Sequence, residues 1–187
     1  MARGLRVVAG DAKGVRLVAP RGARPTTGRV REALFAALGD VTGAAVLDLY
    51  AGSGALAIEA LSRGAARALL VDRDRAAIEV CAQNLEGARV ADRGRVRASR
   101  AETVLGAAPP PEAPFDLVFV DPPYDASVDD LSAAIDAIAE PGWLVPGGRI
   151  VVERPARQGP VPVPAGWEVG WERKYGDTLV VVLRAQG

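Results

Sequence analysis

Histidine is absent from this 187-residue sequence, and cysteine occurs once, at Cys81. Without histidine the usual zinc sites and every histidine-based catalytic triad are excluded, and a single thiol leaves no disulfide within the chain. No metal centre is expected. Aromatic residues make up only 5%, and methionine appears once. No uncharged apolar run approaches the 18 residues of a membrane span, and the start Met-Ala-Arg-Gly-Leu-Arg runs into a mixed polar pattern rather than a secretory leader. A cytoplasmic location with no membrane partner is the expectation. The chemistry left available uses carboxylates, hydroxyls, backbone groups or a cofactor.

Net charge is also missing, since 23 basic residues balance 23 acidic ones, but the balance is uneven along the chain. Residues 1–31 hold Arg3, Arg6, Lys13, Arg16, Arg21, Arg24, Arg29 and Arg31 against Asp11 alone, a net of +7, so the remainder carries −7. A basic arm on an acidic body is suited to a polyanion at one end. At 49% hydrophobic, the chain supports one substantial core with a small appendage rather than two independent domains. The expected division is residues 1–28 as a basic hairpin and loop and residues 29–187 as the main domain.

Leu5 to Ala9 and Val15 to Val18 flank Gly10-Asp11-Ala12-Lys13-Gly14 and read as a small hairpin displaying Arg6 and Arg16. Thr26 and Thr27 are candidate caps for a helix over about 29–38, with Arg29 and Arg31 projecting from its first turn. Cations there oppose the helix dipole, which a bound anion would offset. From residue 46 strands and helices alternate. Strands are expected at 46–50, 68–72, 95–98, 115–120 and 148–153, with a final pair at 167–171 and 178–183. Helices are expected at 54–63, 75–86 and 129–139, the last opened by a capping box at Ser127 to Asp130. Cys81 falls on the apolar side of the second of these and reads as core. Residues 106–114, with four prolines, form a loop. This order predicts an α/β, doubly wound, mainly parallel sheet with a small basic N-terminal β-hairpin.

In such sheets ligands bind beyond the carboxyl ends of the strands, where the winding reverses. Asp48-Leu-Tyr-Ala-Gly52-Ser53-Gly54 places an acid on a strand, then a glycine turn, then a helix start. Glycines let the backbone approach a ligand closely. Asp72 ends the next strand 20 residues after Gly52, the offset at which an acid grips ribose hydroxyls. Gly52 to Ala57 also satisfies the dinucleotide fingerprint G-x-G-x-x-G/A, so a nicotinamide enzyme is a rival. Asp48 argues against a pyrophosphate and for a ligand with a cationic ammonium group, as in S-adenosylmethionine.

Asp121-Pro122-Pro123-Tyr124 follows a buried strand at the same sheet edge. The prolines remove two N–H groups and stiffen the turn. The Asp121 carboxylate and the Pro122 carbonyl are then positioned to accept both hydrogens of a planar –NH2, with Tyr124 stacking on the ring that carries it.

Together the two motifs resemble class I S-adenosylmethionine-dependent amino-methyltransferases. Arg24-Pro-Thr-Thr-Gly-Arg-Val-Arg-Glu32 and Leu56-Ala-Ile-Glu-Ala-Leu-Ser-Arg-Gly64 resemble the bacterial 16S rRNA guanine-N2 methyltransferase family. The likeness extends to Tyr175-Gly-Asp-Thr178. It implies a Rossmann-like seven-stranded sheet with a reversed last hairpin, S-adenosyl-L-methionine as cofactor, and methyl transfer to one guanine of 16S rRNA, free or in a small-subunit particle, by a monomer. By position it implies that Asp48 and Gly52 to Gly54 border the methionine half of the cofactor and Asp72 the ribose. Tyr50, Ala51 and Arg73 complete the cofactor set. The Asp121 to Tyr124 turn takes the target base, and Arg3, Arg6, Lys13, Arg16, Arg24, Arg29 and Arg31 take RNA. An acid or amide that would hold the adenine amine is replaced by Arg100, so the backbone near Ala101, or Glu102, is expected there. The residues alone leave open a DNA adenine-N6 methyltransferase, which would share both motifs, and a non-catalytic RNA-binding assembly factor, which would share the basic arm.

Overall fold

The structure is a computed structural model describing residues 4–20, 22 and 26–186. Arg3 and Arg24, both expected to contact RNA, lie outside the described residues. Seven strands form one sheet in the order β3-β2-β1-β4-β5-β7-β6. They are β1 (Ala45–Leu49), β2 (Arg67–Asp72), β3 (Gly94–Ala98), β4 (Phe115–Val120), β5 (Leu144–Pro155), β6 (Trp167–Tyr175) and β7 (Thr178–Ala185). The pairs from β3 through β5 are parallel, and β7 runs antiparallel to both neighbours. The winding reverses between β1 and β4, which opens a crevice beyond their carboxyl ends.

Helices α1 (Gly28–Leu38), α2 (Ala55–Ser62) and α3 (Arg75–Gly87) cover one face, and α4 (Ala101–Leu105) and α5 (Val128–Ala139) the other. Strand side chains alternate between these layers. Val46 of β1, Leu117 and Phe119 of β4 and Val151 of β5 point toward the α1–α3 layer, while Leu47, Val118, Val120, Ile150 and Val152 point toward α4 and α5. The same alternation carries Asp48, Asp121 and Glu153 onto the α1 side. Three acids therefore share one face at the carboxyl edge.

The expected helices and strands are present with ends moved by a few residues, apart from two differences. Helix α4, a single turn of five residues, is too short to show a period in sequence. Strand β5 extends back to Leu144 through Pro146-Gly147-Gly148, and a register irregularity between Phe115 and Leu117 absorbs the turn-like residues. Ser127 accepts from the Asp130 N–H at 3.0 Å and its own N–H donates back to the Asp130 carboxylate, closing the expected capping box.

The N-terminal hairpin is held by one antiparallel bridge, Arg6 with Arg16, and by Val7 N–H to Val15 O and Leu17 N–H to Leu5 O. So short a ladder is marginal on its own. Helix α2 supplies the rest. The Glu59 carboxylate accepts from Val8 N–H at 2.8 Å and Ala9 N–H at 2.9 Å. Ser62 Oγ accepts from Ala12 N–H and donates to Ala9 O. At Gly10, with φ +79°, a Cβ would lie 1.8 Å from the Ser62 carbonyl oxygen, so only glycine permits this approach. Val7 and Leu17 thereby join the core.

Arg31 corrects the expectation that both arginines of α1's first turn project toward RNA. Its side chain has no exposed surface and lies 3.8 Å from Glu59, itself fully buried. Its guanidinium donates to Thr26 O at 2.7 Å and to Arg6 O. The helical period turns position 31 toward α2, where Glu59 provides the countercharge that a buried arginine requires. Arg29, two residues earlier, is exposed.

Candidate active site

Strand β1 is followed by Tyr50, which has φ 60°, and Gly52 to Gly54 then turn the chain into α2. Gly54, at φ +72°, is the residue before the helix, and a Cβ there would meet Leu70 Cδ2 at 2.7 Å. The tight passage brings the backbone onto β2. Asp72, at the end of β2, accepts from Gly52 N–H at 2.8 Å through one carboxylate oxygen and from Asp74 N–H through the other. Its carboxylate thus already sits where the glycine turn presents N–H groups.

A cleft of about 290 Å3 lies beyond this turn. Asp48, Tyr50, Ala51, Gly52 and Ser53 line it with Asp72 and Arg73, and Asp121, Pro122, Pro123 and Tyr124 close the opposite side. A second cleft of about 190 Å3 continues past Tyr50, Asp72 and Arg73 to Arg100, Ala101 and Glu102. The residues expected from the two motifs therefore meet in one trough, apart from Gly54, which packs behind the turn against Leu70 and Cys81. Cys81 is buried as expected, its thiol donating to Gly52 O and pushed up chiefly by burial.

Asp48 is 2% exposed, and Ala57 N–H, at 3.2 Å, is its one hydrogen bond among the described residues. Burial, with Asp72 nearby, pushes its carboxyl up to about 8 against the pull of that bond. A buried acid with a single neutral donor fits a cationic ligand group. Tyr50 donates to Glu102 at 3.0 Å, which leaves the second Glu102 oxygen and the N–H groups near Ala101 at the far end of the trough.

Across the crevice, burial raises Asp121 well above the usual carboxylate range, and Glu153 and then Asp48 add to this. Val120 pairs with Val152, so Asp121, just past the end of β4, and Glu153, near the end of β5, stand side by side. Thr26 Oγ1 donates to Glu153 Oε2 at 2.6 Å. Gln158 Nε2 donates to Tyr124 O at 2.8 Å, fixing the turn while the Tyr124 ring stays 56% exposed. Glu153 and Gln158 were not singled out in the sequence, and Thr26 only as a candidate helix cap. Thr26 and Glu153 belong to segments 127 residues apart, and no local motif marks their meeting. The alternation Val151, Glu153 on a strand beside Asp121 was the available signal. Of the basic residues, Arg6, Lys13, Arg16 and Arg29 are exposed and form no ion pair among the described residues.

A seven-stranded sheet with only β7 reversed, wound on both faces and carrying a glycine turn at its switch point, is the fold of class I S-adenosylmethionine-dependent methyltransferases. A solved candidate methyltransferase, SMU.776, in complex with SAH shares it with a TM-score of 0.71 at 15% identity, over 84% of this chain and 49% of that one. The chain belongs to the family described as Conserved hypothetical protein 95, whose model matches residues 5–184. It is 39% identical over 175 residues to Ribosomal RNA small subunit methyltransferase D of Escherichia coli K12, covering 92% of this chain and 85% of the relative. It is 37% identical over 187 residues to YlbH of Bacillus subtilis, named as a candidate rRNA methyltransferase, covering 98% and 100%. The solved structure of yhhF from Escherichia coli, a candidate methyltransferase, superposes with a TM-score of 0.87 at 34% identity over 98% of this chain and 99% of that one. No helix among the described residues is long and apolar enough to cross a membrane.

Proposed function

We propose that this chain transfers the methyl group of S-adenosylmethionine to the exocyclic N2 amine of a guanine in 16S rRNA, free or within a small-subunit particle, as a cytoplasmic monomer. The observation that carries the reading is the Asp121-Pro122-Pro123-Tyr124 turn facing Gly52 and Ser53 across one cleft of about 290 Å3. The names of the relatives add the RNA.

The cofactor supplies a methyl group already activated by a sulfonium, so the protein contributes positioning and charge complementarity. Asp48 holds the ammonium group, and Asp72 the ribose. The target base leaves its stack to enter the cleft, where the exposed Tyr124 ring stacks on it. The Asp121 carboxylate and the Pro122 carbonyl accept the two amine hydrogens and aim the nitrogen lone pair at the methyl carbon. As the N–C bond forms, the C–S electron pair goes to sulfur. The alkylated nitrogen then gives its proton to Asp121, whose raised affinity for protons suits it to that task. Arg6, Lys13, Arg16 and Arg29 bind RNA phosphates, with the salt dependence such contacts bring.

Mass mapping of methylated guanines in rRNA from cells with and without this protein tests the reading. One N2-methylguanine that disappears with the protein is the expected result. An unchanged guanine map, or transfer to adenine in naked DNA instead, overturns it.

A further inference from the structure

The mechanism above uses one carboxylate of the acceptor pocket, whereas the strand register sets a second beside it. Parallel neighbours at one register level point their side chains to the same face about 4.8 Å apart. Asp121 and Glu153 occupy such positions, one residue beyond the paired Val120 and Val152. The cleft that holds Asp121 and the groove lined by Glu153 share two residues, Thr26 and Tyr124. Glu153 therefore lines the space that adjoins the Asp121 cleft past Thr26 and Tyr124. Its orientation is fixed, because Thr26 Oγ1 donates to Oε2 at 2.6 Å and Arg31 holds the Thr26 carbonyl from behind at 2.7 Å. Oε1 accepts no hydrogen bond among the described residues.

An Asp-Pro-Pro-Tyr turn by itself accepts any planar amine and does not distinguish guanine from adenine or cytosine. The edges of these bases differ next to the amine. Guanine carries a donor there, the N1–H beside its N2 amine, whereas the ring nitrogens beside the amines of adenine and cytosine are acceptors. A fixed carboxylate oxygen next to Asp121 rewards the donor and repels the acceptors.

We infer that Glu153 is the base-selecting residue of this site: its Oε1 accepts the guanine N1–H while Asp121 and the Pro122 carbonyl hold the N2 amine, and Thr26 sets its rotamer. The inference rests on the guanine-N2 reading and adds the group that makes the pocket choose guanine. Tyr124 and the proline turn supply the generic grip on an aromatic amine. Glu153 supplies the discrimination.

The test compares guanine with 2-aminopurine at the mapped target position of an otherwise identical 16S rRNA. 2-Aminopurine keeps the N2 amine but presents a bare acceptor at N1. Wild-type protein is expected to favour guanine by about ten- to a hundredfold in kcat/KM. In Glu153→Gln the oxygen stays toward Thr26 and the amide N–H faces the base, so the preference for guanine should shrink by about tenfold or reverse. If the variant turns over too slowly, the same ratio is read from equilibrium binding of the two RNAs in the presence of S-adenosylhomocysteine. A variant that loses both substrates equally, leaving the ratio within about twofold of wild type, overturns the role of Glu153 while the guanine reaction stands. Absence of any N2-methylguanine with wild-type protein overturns the reaction itself.

Discussion

The two halves of the crevice are built differently. The donor side is mostly continuous chain: Asp48, Tyr50, Gly52 and Ser53 lie within six residues, and Asp72 ends the neighbouring strand. The acceptor side is assembled from Thr26, Asp121 to Tyr124, Glu153 and Gln158, which meet only in the folded sheet. Local chain geometry determines the first, and long-range bracing determines the second. The brace is the series of buried Glu59, Arg31 and Thr26 with half-buried Glu153, which ties the N-terminal segment to helix α2 and then to the sheet edge.

Substitutions on either side should separate binding from transfer. Asp121→Ala is expected to have the largest effect, lowering methyl transfer about 10^3-fold, or about 4 kcal/mol, with cofactor affinity within a few-fold of wild type. Single-turnover assays alongside calorimetric binding of S-adenosylhomocysteine would show it, and equal loss of both would erase the distinction between the halves. Glu59→Ala comes next. It strips the countercharge from buried Arg31 and the acceptor from two hairpin N–H groups, so a stability loss of about 3 kcal/mol is expected in denaturant titration. A variant that remains folded should lose transfer before it loses cofactor binding, because the brace serves the acceptor side.

Asp72→Ala should do the reverse. Cofactor affinity is expected to fall about 30-fold, close to 2 kcal/mol, with transfer at saturating cofactor little changed. The smallest effect concerns pH. An acid held near 8 in the fold against about 4 when unfolded favours the protonated form, so the ligand-free protein loses stability as pH rises through that interval. A bound ammonium group reverses the preference and releases a proton. Affinity for S-adenosylhomocysteine should therefore rise by about tenfold in all between about pH 6 and about pH 8, and Asp48→Asn should flatten the profile. A wild-type profile as flat as the variant's would remove Asp48 from the cation-binding role.

Most of the fold was legible because each element carried its own signal. Short apolar runs between turn residues marked the strands, Ser127 with Asp130 gave the start of α5, and Leu131, Ile135 and Ile138 gave its buried face. Helix α4 escaped because one turn has no period. The donor residues were readable for the same local reason. Arg31 was misread because charge density in sequence does not say which side of a helix faces Glu59. The pairing of Thr26 with Glu153 was missed because a hydrogen bond across 127 residues has no sequence spacing to recognise.

The sequence by itself determined a wound α/β sheet, its glycine turn and the two motifs at its carboxyl edge, since periodicity, glycine and proline act over a few residues. Only the tertiary structure decided which arginines reach solvent and which acid joins Asp121. Burial and strand register, which set both outcomes, belong to the assembled layers and to no segment alone.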